Sequence, residues 1–345
     1  GLSLALMETL ADYGTVQYFG VSTFTTGIFR TFYGYGDTAA AAQLAASLLA
    51  FVILLVMLER YSRRRARYHS AAESRARADL IPLTGSKAFL ALMICLVPLG
   101  FGFVIPAGQL LWWAVFEAEP LGWEFVNLAW NSFCLAFLAA LVAVTLAILL
   151  AYAQRARPIK PVRGVLAMSG FGYALPGTII AIGVLIPLAW IDHRIIALFE
   201  GWGWDSPGLI LSGSLIALLF AYTVRFLAVA LGSVQAGLEK IKPSLDYAGR
   251  SMGHSPLAIL RKIHVPLMRS SVLTAVLIVF VDVLKELPAT LILRPFNFNT
   301  MAVRAYELAS DERLVDAAPA SIMIVLVGLI PVLLLHTSIA RRRPQ

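Results

Sequence analysis

Apolar residues run along this chain in stretches of about twenty, separated by short polar segments, and no strand-like alternation interrupts them. Runs long enough to cross a hydrocarbon core of about 30 Å occur near 2–19, 39–59, 88–115, 128–153, 165–191, 208–232, 271–293 and 318–339. In lipid every backbone polar group must be satisfied within the protein, so such runs predict helices. The expected fold class is therefore all-α, a polytopic membrane protein of about eight spanning helices.

Composition agrees. Of 345 residues, 59% are hydrophobic and 14% charged, which would leave a soluble domain covered in apolar patches. The chain begins with Gly1 and enters apolar sequence at once, without the basic segment and small-residue cleavage site of a secretory signal, so an N-terminally cut chain is expected. Cys95 and Cys134 lie within predicted spans, where the expectation is two small buried hydrophobes.

A net charge of +8 raises the question of nucleic acid, and its distribution answers it. Of 28 Lys and Arg, eight lie in 60–87, four in 154–164, six in 234–270 and three in 341–343, whereas the alternate loops hold five. Basic loops stay cytoplasmic, so this alternation orients every span, and no nucleic-acid partner is implied.

The one long polar linker divides the chain into a two-helix piece, 1–65, a basic cytoplasmic linker, 66–87, and a six-helix piece, 88–345. Sliding the first piece by 274 positions lays Leu10 on Leu284, Phe24 on Phe298, Thr26 on Thr300, Arg30 on Arg304, Asp37 on Asp311 and Ser47 on Ser321. This reads as a duplicated unit whose first copy lacks its front, and internal repeats are a common construction in transporters.

The cytoplasmic stretch SLDYAGRSMGHSPLAILRKIHVPLM, residues 244–268, predicts a short helix capped by Ser244, a left-handed elbow at Gly253, and a second helix. Ser255 would cap that second helix, Pro256 would open it, Leu257, Leu260 and Ile263 would share one face, and Pro266 would stop it. Chemistry alone allows an interfacial helix resting on lipid headgroups. The order Ala248-Gly249-Arg250-Ser251-Met252-Gly253, with Ile263 ten residues after the glycine and then Pro266, resembles the Glu-Ala-Ala loop of ATP-binding-cassette (ABC) importer permeases. That resemblance implies a coupling loop over 240–269 that docks on a separate ABC ATPase dimer. Tyr247 stands where the family usually has its Glu, with Asp246 just before it, and Gly249 replaces the second Ala, which puts the usual Glu salt bridge in question.

Asp282, Lys285 and Glu286 lie in a predicted span at spacings that share one helical face. Charges there should face the bundle or an aqueous path and pair with one another. Glu8 and Asp12 fall on Asp282 and Glu286 in the repeat. A structural ion pair and a pathway interface both fit. Arg225, placed near the cytoplasmic end of its run, fits a snorkelling residue as well as a functional one.

The phrases KELPATLILRPFNFNTMAVRAYELASDE, YALPGTIIAIGVL and RFLAVALGSVQAGLE are similar to the fused two-domain permeases of bacterial ferric-iron importers. That resemblance implies a type I ABC importer fold, residues 1–65 as the last two spans of a first permease domain, a periplasmic substrate-binding protein as partner, and a location in the bacterial inner membrane. Related permeases for thiamine, polyamines or phosphonates remain alternatives. No Walker-type P-loop and no H-E-x-x-H motif occur, so ATP hydrolysis is expected on another chain. No metal cluster or cofactor motif is seen, and the remaining functional alternative is a gradient-driven transporter using Asp282 to Glu286 as a proton relay.

Overall fold

A computed structural model of the chain describes residues 2–65, 83–157 and 159–340. The described residues form helices without strands: α1 (Leu2–Ala11), α2 (Gly14–Tyr18), α3 (Phe24–Phe29), α4 (Thr38–Arg65), α5 (Gly85–Glu117, with two internal π turns), α6 (Trp123–Ala156), α7 (Lys160–Ser169), α8 (Gly177–Gly201), α9 (Leu215–Glu239), α10 (Ser244–Ser251), α11 (Pro256–Leu267), α12 (Arg269–Leu284), α13 (Pro288–Leu293), α14 (Met301–Ser310) and α15 (Leu314–Ala340). Most of the linker 66–87 and the arginine cluster 341–343 lie outside the described residues.

Among those residues α4, α5, α6, α8 and α9 are each long and apolar enough to cross a membrane, and the bent pair α11 and α12 makes a sixth if taken as one span. All eight apolar runs are helical, but the expectation of unbroken helices fails in three places. The run 2–19 breaks at Asp12 and Tyr13, and 271–293 breaks after Leu284. The run 165–191 becomes a short α7, an irregular stretch through Pro176, and α8, which continues to Gly201 into what reads as an outward loop. Pro176 has no N–H to offer a continuous helix. Gly172 is pressed so closely on the Val224 carbonyl of α9 that a Cβ would overlap it.

α6, α9 and α12 pack mutually as the centre of the bundle. Along α6 the buried positions include Ala136, Ala140, Ala143, Ala147 and Ala151, a ridge of small residues that lets neighbouring backbones approach closely. α5 buries none of its residues and lies at the rim against α15. Cys95, on α5, and Cys134, on α6, are exposed rather than buried, because their helix faces point away from the bundle.

The repeat is visible in the elements. α1, α2 and α4 recur about 274 positions later as α12, α13 and α15, including the break between the first two.

Candidate functional site

The hinged loop over residues 244–268 forms as its local chemistry dictates. α10 ends before Gly253, whose φ of 76° is the left-handed elbow. Ser255 Oγ accepts the Ala258 N–H at 3.3 Å, capping α11, with Pro256 in its first turn. Three details differ from expectation. Ser244 is already helical, because Pro243 takes the capping position with a near-helical backbone and no side-chain bond. Pro266 does not stop the helix. A π turn over Leu260–His264 carries the chain through it to Leu267, and the break comes at Met268, where α11 and α12 meet at 79°. Nor do Leu257, Leu260 and Ile263 share one buried face. Leu257 is exposed, while Ile259 and Leu260 are buried. The side chains of Ile259 and Ile263 crowd Gly249, leaving a methyl group there only 3.0 Å from Ile259; this is why glycine suits that position.

Asp246 is the buried polar residue of α10. Arg155, in the last turn of α6, donates from Nε and Nη2 to Asp246 Oδ2 at 2.9 and 2.7 Å. The same guanidinium donates to the carbonyls of Leu238 and Ile241 at the end of α9, at 2.7 and 2.8 Å. His264, fully buried on α11, places Nε2 2.7 Å from Asp246 Oδ1. Burial pushes the Asp246 carboxyl up, but hydrogen bonds from Arg155 and His264 outweigh it and hold the group below its ordinary value. Tyr247, Ala248, Arg250 and Met252 face outward from the loop, so the acid carries the intramolecular bridge and the tyrosine does not.

The second constellation lies where the two copies of the repeat meet. A cavity of about 420 Å³ is lined by Glu8, Asp12, Asp282 and Glu286 together with Arg225 and Lys285. Lys285 Nζ lies 3.2 Å from Asp282 and 3.8 Å from Glu8. Glu286 does not join this pair. α12 ends at Leu284, which turns Glu286 toward Arg225 of α9, at 3.3 Å with both side chains buried. Arg225 therefore lies in the body of its span and not at a snorkelling end. Asp12 and Glu286, equivalent in the repeat, do equivalent work. Asp12 accepts the Thr15 N–H at 3.3 Å and Glu286 the Ala289 N–H at 3.2 Å, each capping the short helix that follows the break. Gly177, in the YALPGT phrase, opens α8 against the Arg225–Glu286 pair, and a Cβ there would overlap both side chains.

Further contacts join the copies. The Tyr13 and Tyr306 hydroxyls are 2.9 Å apart, and Tyr33 donates to the Leu291 carbonyl at 2.6 Å. Sequence reasoning missed Arg155, His264 and the Arg225–Glu286 pairing. Among the described residues no group of three or more His, Cys, Asp or Glu could hold a metal ion.

No protein-family model matches the chain. It is 27% identical over 342 residues to an Fe(3+)-transport system permease protein of Haemophilus influenzae, covering 96% of this chain. The chain spans 63% of that relative's length. It is 25% identical over 230 residues to a protein of Salmonella typhimurium named as a 2-aminoethylphosphonate transport system permease, covering 64% of this chain and 80% of the relative. In fold it matches a crystal structure of a bacterial ABC transporter involved in the import of the acidic polysaccharide alginate, with a TM-score of 0.56 at 15% identity over 74% of this chain and 96% of that one. A crystal structure of a bacterial alginate ABC transporter in complex with an alginate pentasaccharide-bound periplasmic protein gives a TM-score of 0.53 at 14% identity, over 72% and 92% of the two chains.

Proposed function

From the transmembrane fold of ABC importers as premise, we propose that this chain is a permease of the bacterial inner membrane that passes ferric iron from a periplasmic binding protein toward the cytoplasm, driven by a separate ATPase dimer. Residues 1–65 act as the closing spans of one permease unit and 88–345 as a second, with 240–269 as its coupling loop. The observation that carries this reading is the glycine-hinged helix pair at the inner face. It shows the apolar side chains of Tyr247, Met252 and Leu257 on its outside and is anchored inside through Asp246. A loop that merely rested on lipid would not need so many bonds to the ends of two spans.

Iron rests on two supports, the similarity to the Haemophilus permease over nearly the whole chain and the sign of the cavity at the seam. Four carboxylates against two cations line it, which suits a cationic cargo and disfavours the phosphonate suggested by the Salmonella relative. A binding protein that delivers cargo leaves the cavity as a transit site, so tight ligation by the permease is not required. The test is uptake of radiolabelled ferric iron into proteoliposomes holding the complete transporter, its ATPase and its binding protein. ATP-dependent uptake supports the reading. Uptake that needs no ATPase and collapses with the proton gradient would replace it with the gradient-driven alternative.

A further inference from the structure

We propose that Arg155 and His264 are positioning residues which, through Asp246, make the hinged loop and two spans move as one body. The inference rests on the reading of 240–269 as a loop that receives force from an ATPase, and it says how that force leaves the loop.

α10 buries only Asp246 and Gly249. Gly249 meets Ile259 and Ile263 of the loop's own second helix, so its contact stays within the loop. Asp246 is the side chain by which α10 grips the membrane bundle. One oxygen takes two N–H groups of Arg155, whose remaining bonds reach the Leu238 and Ile241 carbonyls. α6, the end of α9 and α10 thus share one guanidinium, and its planar fork suits that three-way geometry where a lysine would serve only as a point charge. The other carboxylate oxygen holds His264. That bond crosses the Gly253 elbow, tying α10 to α11 on the far side of the hinge. A glycine elbow alone would fold under load. Braced by Asp246 and His264 it behaves as a rigid bracket, and α11 continues through the 79° bend into α12, which packs on α6 and α9.

The experiment measures cargo transported per ATP hydrolysed in proteoliposomes carrying the complete transporter with ATPase and binding protein. Arg155→Met and Asp246→Asn should each lower this ratio tenfold or more while the ATPase still co-purifies at wild-type stoichiometry. The double variant should be no worse than either single change, because both remove the same link. Arg155→Lys should fall between Arg155→Met and wild type, since a point charge still pairs with Asp246 but cannot reach both the Leu238 and Ile241 carbonyls as well. His264→Gln, which keeps a donor but loses the ring, should fall between. An unchanged ratio in the single variants overturns the proposal, as does a double variant whose defect is the product of the two. If assembled complex and transport decline in proportion in every variant, Arg155→Lys included, the residues only pack the inner face and the proposal also fails. Failure of the unaltered chain to capture any ATPase would instead overturn the transport reading itself.

Discussion

Glu8 and Asp282, 274 positions apart and equivalent in the repeat, face the same ammonium group, that of Lys285, at 3.8 and 3.2 Å. Lys285 and Glu8 are more than half exposed to the cavity, whereas Asp282 is largely covered. An exposed pair contributes little to stability, and under the proposed function these charges would line the transport path. Lys285→Met should lower uptake at least tenfold. The double change Asp282→Asn with Lys285→Met should stay below a tenth of wild-type uptake, although membrane level and thermal midpoint remain near wild type. Recovery of uptake in the double variant would mean that the pair serves only to neutralise itself.

The Arg225–Glu286 pair sets a different expectation, because it is buried and sits against the first residue of α8. Gly177→Ala would push a methyl group into both side chains, and overpacking of this kind costs about 1–3 kcal/mol. A lowered thermal midpoint in detergent should accompany reduced uptake. Gly183→Ala, on the same helix with open space at its Cβ position, should leave the midpoint unchanged. Glu286→Gln should be worse than Gly177→Ala, since a buried pair stripped of one charge loses about 3–5 kcal/mol.

What could be read in advance follows from the range of the rules involved. The loop's elbow and cap are local: Gly253, Ser255 and Pro256 each declare their conformation within a residue or two, and the structure has them so. The apolar runs likewise locate the membrane helices, because burial in lipid needs only composition. No period marks where a helix breaks, however, and the end of α12 at Leu284 is what parts Glu286 from Asp282 and Lys285 and hands it to Arg225. Arg155 was equally illegible, being one of four basic residues in 154–164 with nothing nearby to distinguish it. Its partner lies 91 residues away. The repeat offered a better signal, since Asp12 and Glu286 match both in register and in the helix each caps.

Gly253 separates backbone strain from crowding. No atom lies within 4 Å of a Cβ built there, so only its φ of 76° resists substitution. Asn tolerates that region, whereas a β-branched residue does not. Gly253→Asn should keep most of the uptake and Gly253→Val should abolish it while the protein remains in the membrane. Equal loss in both would point to a surface contact at the elbow and away from its conformation.

Asp246 also gives the inner-face bracket an acid limit. Its carboxyl lies below the ordinary value because bonds from Arg155 and His264 outweigh its burial, so the folded protein holds the ionised form more firmly than the unfolded chain does. For a group shifted in this direction the stabilisation is complete above the unfolded pKa of about 3.9 and disappears as pH falls through the lower folded value. The thermal midpoint of the wild-type protein should therefore exceed that of Asp246→Asn by a constant margin from neutral pH down to about 5, and the margin should close below about 4. A margin that instead grew on acidification would place the opposite sign on the shift and remove the ionised carboxylate from the centre of the bracket.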